Sequence, residues 1–201
     1  VFNISKEFIF SHPEFEIPLD KYDFFIECIH KRISGLPVAY IISQKEFYGL
    51  DFYVTPDVLI PKYDTEILVE ASIQEITDYI YAKKTDKIKI LDLCTGSGCI
   101  AISVYNAFVQ KGFENLIDFY ACDISEKALE IATHNANKHN CKINFIKSDL
   151  LNFFVKDYFD YFDFILTNPP YVPLNIANDL LKDGRNELNI NKYKRCLYYC
   201  M

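Results

Sequence analysis

The chain has 201 residues, half of them hydrophobic and a quarter charged, which is core-forming material for one domain, or one domain and a small appendage. A net charge of −7 argues against a polyanion as partner, because phosphate neutralisation needs clustered Lys and Arg and the sequence shows no such stripe. No apolar run approaches the roughly 18 residues of a membrane span, and the opening VFNISKEFIF lacks the basic region and cleavage site of a signal peptide.

Residues 1–17 are aromatic-rich and give no clear period. From Leu19, the apolar positions Leu19, Tyr22, Ile26, Ile29 and Ile33 step by three and four, which predicts one face of a helix. The helix stops at Ser34-Gly35, with Lys31 and Arg32 in its last turn and Pro37 beyond. Residues 45–48 and 51–54 read as two short strands around Gly49-Leu50, a hairpin with a Gly-containing turn. A further helix begins at Asp64, where Asp64 or Thr65 is placed to cap and Glu66 suits the positive end; Ile67, Leu68, Ala71, Ile76 and Ile80 supply its apolar face.

After a charged turn at 83–87 comes KIKILDLCTGSG. An apolar β-rich run (Ile88, Ile90, Leu91) ends on Asp92, breaks into Thr95-Gly96-Ser97-Gly98, and restarts as the helix-like CIAISVYNAF. A buried parallel strand feeding a Gly-rich turn and a helix N-terminus makes a cradle for a nucleotide-like ligand. The pattern then repeats. Strand 118–122 ends on Asp123, and Ser125 caps a helix through His139 with Leu129, Ala132 and Ala136 on one face. Strand 144–146 leads to Asp149, and strand 162–167 ends in Asn168-Pro169-Pro170-Tyr171. Strands alternating with helices predict an α/β fold, a Rossmann-like doubly wound parallel sheet with right-handed crossovers. Residues 177–182 read as a helical turn or two, and the tail after them has no clear period. Four strands are fewer than such a sheet usually carries and the first residue is Val, so the chain reads as cut short at both ends. Seven cysteines without a CxxC pair, with Cys94, Cys99 and Cys122 in or beside apolar strands, read as buried reduced thiols of a cytoplasmic protein.

Ligands of open parallel sheets bind at the carboxyl ends of the strands. Here those ends carry the Gly turn, Asp123, Asp149 and Asn168-Pro-Pro-Tyr. Gly96-x-Gly98-x-x-Ala101 formally fits a dinucleotide fingerprint, with Asp123 standing 27 residues beyond Gly96 to meet ribose hydroxyls. Read plainly, Asp123 with Ser125 is also a cap on a βα turn, and Cys94 and Cys99 are packing residues. The Asn168–Tyr171 run separates the readings. Two prolines after a buried strand stiffen the backbone and remove two N–H donors, so the Asn168 and Pro169 carbonyls are left to accept. The Asn168 side chain adds an acceptor and a donor, and Tyr171 a flat face for stacking. Together they suit the NH₂ of a planar amide or exocyclic amine with its nitrogen lone pair turned outward. Methyl transfer to a planar nitrogen needs such a clamp; hydride transfer has no evident use for it.

The set LDLCTGSG (91–98), Asp123, SDL (148–150) and NPPY (168–171) resembles the class I S-adenosylmethionine-dependent methyltransferases. Upstream, Gly35-x-Pro37-x-Ala39-Tyr40-Ile41, Glu46-Phe47 and Leu59-Ile60-Pro61-x-x-Asp64-Thr65-Glu66 resemble the HemK/PrmC family, which methylates the GGQ glutamine of peptide chain release factors. The likeness spans about residues 20–173. NPPY is shared with DNA adenine methyltransferases and a ribosomal-protein glutamine methyltransferase, and LIPxxDTE is the more specific signal.

The resemblance implies S-adenosyl-L-methionine bound by Cys94, Thr95, Gly96, Ser97, Gly98 and Asp123, with Asp149 and Leu150 beside the adenine and Asn168 between cofactor and substrate. Asn168, Pro169, Pro170 and Tyr171 would grip the glutamine amide, with Asn168, Pro169 and Tyr171 as the catalytic set. It implies no metal. It divides the chain into a partial helical substrate-recognition domain (1–36), a linker with a β-hairpin (37–62) and a methyltransferase domain (63–201). Cys94 stands where the family turn often has Gly, and Lys62-Tyr63 replace a usual Arg-Pro. The expected partner is a release factor, with no nucleic acid, no membrane and a monomeric protein. Other readings are a ribosomal-protein glutamine or nucleic-acid adenine as acceptor, a non-catalytic nucleotide-binding remnant, and an NAD-dependent oxidoreductase.

Overall fold

The computed structural model describes residues 4–83, 87–152 and 161–169. Three helices open the chain: α1 (Lys6–Ser11), α2 (Leu19–Ile33) and α3 (Val38–Ile41). Helix α1, over which no period was expected, has six residues and is capped by Ser5, whose side chain accepts from Phe8 N. Helix α2 has the predicted limits, but among the described residues its apolar face is not covered: Leu19 is 92% and Ile33 76% exposed, and Cys28 is its buried residue. Helix α2 touches α3 among the described elements, so amphipathic spacing predicted the helix and not a partner for its face.

Strands β1 (Gln44–Phe47) and β2 (Leu50–Tyr53) form the hairpin, one residue earlier than the sequence suggested. The reason is Tyr48. With φ of 51° at Tyr48 and 71° at Gly49, both loop residues are left-handed, the signature of a two-residue turn whose twist matches the strands. Leu50, which the sequence placed in the turn, pairs with Phe47. The Glu66 and Glu46 carboxylates accept from Tyr48 N and Gly49 N, both at 3.0 Å, and satisfy the turn donors.

Helix α4 (Asp64–Lys83) leads into a four-stranded parallel sheet of β3 (Ile88–Leu93), β4 (Ile117–Asp123), β5 (Ile143–Lys147) and β6 (Phe164–Thr167), in spatial order β5-β4-β3-β6. Helices α5 (Cys99–Gln110) and α6 (Glu126–Lys138) make the crossovers β3–α5–β4 and β4–α6–β5. Ser125 caps α6 as predicted, accepting from Ala128 N at 3.2 Å. The chain builds outward from β3 on one side, then returns to place β6 on the other. The switch of direction therefore falls between β3 and β6, where ligands of such sheets bind.

Side-chain alternation separates two cores. Ile88, Ile90, Phe119, Ala121 and Leu166 point into the main cluster with residues of α4, α5 and α6, including Val69, Ile76, Ile102 and Phe108. Leu91, Leu93 and Cys122 point the other way and pack with Tyr120, Ile146, Phe162 and Ile165. Among the described residues the helices against the sheet thus lie on one face, and they include no second helical layer of the kind expected of a doubly wound sheet; the helical turn expected at 177–182 falls outside the described residues. No helix among the described residues is long and apolar enough to cross a membrane.

Candidate active site

The Gly turn is held by the strand that feeds it. Asp92, fully buried, accepts at Oδ2 from Thr95 Oγ1 at 2.6 Å and from Ala101 N at 3.2 Å, which ties the end of β3 to the first turn of α5. Its other oxygen has no hydrogen-bond partner among the described residues. Burial pushes the Asp92 carboxyl up to about 7 despite those two bonds, and the Asp123 charge adds to the rise. Thr95 N donates to Cys122 O at 3.0 Å, so the turn leans onto the end of β4. Gly96 has open space where a side chain would stand. Gly98 does not: a Cβ there would meet Ile102 Cδ1 at 3.0 Å and Ala132 Cβ at 3.2 Å, so its glycine lets α5 and α6 pack closely. Cys94 is half-buried at φ 63°, a left-handed position that explains why glycine suits it.

Asp123, half-exposed at the end of β4, accepts at Oδ2 from Gly96 N at 3.0 Å and at Oδ1 from Ser125 N at 2.9 Å. The capping bond to Ser125 is therefore made, and the carboxylate also braces the Gly turn. Each oxygen keeps a lone pair for a ligand hydroxyl. Beyond β5, Asp149 and Leu150 are exposed, with Leu150 left-handed at φ 52°. Buried Ser148 fixes them: its N–H donates to Asp123 O at 3.0 Å and its hydroxyl to Leu150 O at 2.7 Å.

Strand β6 pairs with β3, so Asn168 emerges beside the Gly turn. Thr167 Oγ1 donates to Leu93 O at 2.8 Å and fastens the two strand ends. Asn168 and Pro169 are half-buried; Pro170 and Tyr171 lie outside the described residues. Asn168 Nδ2 donates to Thr65 Oγ1 at 3.1 Å. The Thr65 hydroxyl, expected as a helix cap, thus faces Asn168 from inside the first turn of α4. A cavity of about 400 Å³ opens beside it, lined by Lys45, Ile60, Pro61, Lys62, Tyr63 and Asp64, with the Lys45 ammonium 4.5 Å above the Tyr63 ring. A larger cavity of about 560 Å³, with Lys87, Asp118 and Asn144 in its wall, sits at the opposite end of the strands. Volume and topology disagree here, and the carboxyl ends of the strands carry the converging polar groups.

Sequence reading missed Asn135. Completely buried in α6, it accepts from Tyr53 N at 2.7 Å and donates to Tyr53 O at 3.0 Å and Ser97 O at 2.9 Å. One amide joins the hairpin, α6 and the Gly turn. An Asn on the inner face of an amphipathic helix was the available signal. The histidines stand elsewhere: His139 Nε2 lies 2.9 Å from Asp51 O, and His134 packs on Tyr53. Burial and the Asp92 charge push the Cys99 and Cys122 thiols up to about 12, so both are packing residues at neutral pH. Among the described residues no three His, Cys, Asp or Glu side chains are grouped to hold a metal ion.

The family description "Methyltransferase small domain" matches residues 75–191, which include β3 to β6 and the whole Gly turn. The chain belongs to this methyltransferase family. A second description, "PrmC N-terminal domain", matches residues 1–42, so the expected HemK/PrmC kinship and class I methyltransferase fold are borne out. The release factor glutamine methyltransferase of Koribacter versatilis is 38% identical over 170 residues, covering 85% of this chain and 56% of the relative. Those of Leptospira interrogans and Buchnera aphidicola are 40% and 41% identical, covering 78% and 84% of this chain and 51% and 55% of theirs. The chain thus spans about half the length of the curated relatives it matches. Among solved structures, the N-terminal domain of human METTL16 aligns at 18% identity with a TM-score of 0.48, covering 74% of this chain and 61% of that one.

Proposed function

We propose that this methyltransferase uses S-adenosyl-L-methionine to methylate the side-chain N5 of a glutamine, that of the GGQ motif in a peptide chain release factor. The observation that carries the reading is the pairing of β6 with β3, which stands Asn168 next to the Gly turn across the switch point. Relatives named for this activity support the substrate. The site suits a cationic cofactor better than a dinucleotide. Gly96 N–H, a donor that a pyrophosphate would use, is taken by the Asp123 carboxylate, which repels phosphate and attracts a sulphonium or ammonium. Residues 94–98 and Asp123 would hold the cofactor, with Asp149 and Leu150 at its adenine. When bound, it supplies a methyl carbon activated by the sulphonium.

The protein's part is to orient and polarise the nucleophile. An amide nitrogen is a weak one because its lone pair is delocalised. Acceptors at Asn168 and Pro169 that hold both N–H bonds fix the nitrogen in a near-attack geometry and draw electron density onto it. Pro170 and Tyr171 complete the clamp. Among the described residues no general base is built in: Asp92 is sealed and Asp123 is engaged by two backbone N–H groups. The proton leaves to water. In this reading residues 1–36 meet the substrate, 37–62 link, and 63–201 carry out transfer, in a cytoplasmic monomer that needs no nucleic acid.

The test is incubation with methyl-labelled cofactor and, in turn, a release factor, a ribosomal protein and DNA. Label is expected on the release-factor glutamine. Asn168→Ala should abolish transfer while cofactor binding largely survives. Label on DNA or on the ribosomal protein alone would replace this substrate with that one, and full turnover by Asn168→Ala would remove the clamp from the mechanism.

A further inference from the structure

The side chain that meets Asn168 comes from the other end of the fold. Thr65 and Asn168 are 103 residues apart, and Thr65 is only 9% exposed in the first turn of α4. Its surroundings are rigid. Thr65 N donates to Lys62 O at 3.0 Å, and neighbouring Glu66 accepts from the hairpin turn at Tyr48 N. A β-branched side chain on such a backbone has few rotamers, so its hydroxyl is a fixed point rather than a group that follows its partner. Asn168 is constrained on the strand side by the Thr167 bond to Leu93 O, and its amide remains to be set.

That setting matters because the two ends of an Asn amide have nearly the same shape and opposite hydrogen-bonding character. With Nδ2 held on Thr65, Oδ1 is the end left to accept; among the described residues it has no partner. Turned the other way, the amide would offer N–H donors to a substrate NH₂ and repel it. We propose that Thr65 is a positioning residue that holds the Asn168 amide with its nitrogen inward and its carbonyl available to the substrate's primary amide. The proposal rests on the glutamine-methylation reading for its effect on turnover, and on geometry alone for its effect on Asn168. It also gives a physical role to the Asp64-Thr65-Glu66 segment. Glu66 ties α4 to the hairpin, Thr65 ties it to β6, and the two bonds hold both walls against one helix end.

The test compares Thr65→Val, which keeps the shape and removes the hydroxyl, with Thr65→Ser, which keeps the hydroxyl. Two readouts are taken on the full chain. The first is the Asn168 side-chain amide in a nitrogen–proton correlation spectrum, assigned by its absence in Asn168→Ala. Its hydrogen exchange is expected to quicken in Thr65→Val and to stay at the wild-type rate in Thr65→Ser. The second is transfer kinetics. Thr65→Val is expected to lose about 10- to 100-fold in kcat, the scale of a misplaced orienting group, with Kd for S-adenosylhomocysteine unchanged and Thr65→Ser restoring most of the rate. A purely structural role would instead move Tm and cofactor affinity together in both variants. An Asn168 amide indifferent to Thr65→Val, or unchanged kcat in that variant, overturns the proposal. If wild type methylates no glutamine and the Asn168 amide is still released in Thr65→Val, the positioning stands and the glutamine reading fails.

Discussion

Asp92 sits where a carboxyl is least comfortable. It is fully buried, one oxygen accepts two hydrogen bonds while the other has none among the described residues, and its pKa in the fold is raised from 3.8 to about 7. The sign follows from which state holds the proton. As pH rises from about 4, the unfolded chain ionises this group while the folded chain keeps it protonated, so the unfolded state gains. Stability from Asp92 is complete below about 4, falls as pH rises towards 7, and levels off above it. Glu27 also titrates differently in the fold, lowered by its hydrogen bond and ion pair with Lys31, but it is fully exposed and adds little. Urea unfolding between pH 4.5 and 7.5 should therefore show a decline approaching one proton, at most about 1.4 kcal/mol per pH unit. Asp92→Asn should flatten it, because an amide oxygen in place of Oδ2 still accepts from Thr95 and Ala101. The same slope in both proteins would mean that Asp92 is ionised in the fold. Cys94 is the milder counterpart on this turn, a side chain at φ 63° where glycine would be unstrained.

The hairpin is the element that most needs others. A two-stranded ribbon is marginal in water by itself, and this one is gripped at both ends. Glu66 of α4 holds its turn, while Asn135 and Lys138 of α6 and His139 just beyond it bind the backbone of Tyr53 and Asp51. Asn135 is the critical grip, because it also reaches Ser97 O. Asn135→Ala leaves Tyr53 N, Tyr53 O and Ser97 O without their partner, and a buried group so abandoned costs about 1–3 kcal/mol. With water reaching some of them, a total loss of about 2–4 kcal/mol is expected by urea unfolding, together with weaker S-adenosylhomocysteine binding because the Gly turn loses a tether. A change below about 0.5 kcal/mol would reduce Asn135 to a bystander. Only the place of Asn135 on the inner face of α6 was legible in sequence; its partners were not. Periodicity located α6, and Ser125 gave its start, because both are local signals. Asn135 bonds to Tyr53 across 82 residues, and no local pattern encodes that. The hairpin register slipped for a related reason: Gly49 marked the turn, but Tyr48 is the second left-handed residue, a state rarely expected of an aromatic side chain.

At the scale of the molecule, the strand ends in the sequence listed the polar groups of the site, while their neighbourhood came from the order of the sheet. Along the chain Asn168 is the most distant of them from the Gly turn, and in the sheet β6 is hydrogen-bonded to β3. The proposed cofactor residues at the ends of β3, β4 and β5 are joined only when those three strands are paired, and a ligand touching all of them binds the native state alone. This links binding to stability in a chain that spans about half of its relatives' length. S-adenosylhomocysteine at 100 times its Kd should stabilise the chain by about 2.7 kcal/mol, which for a protein of this size raises Tm by roughly 5–10 °C. NADH at the same concentration should not, since Asp123 occupies the Gly96 N–H that its pyrophosphate requires and repels the phosphates. A shift with NADH instead would revive the dinucleotide reading of the Gly turn. A cooperatively unfolding chain with no shift from either ligand would make this stretch a remnant of the fold without its cofactor site. The expected shift with S-adenosylhomocysteine alone requires the ends of β3, β4 and β5 together, and so reports on the cofactor side of the site.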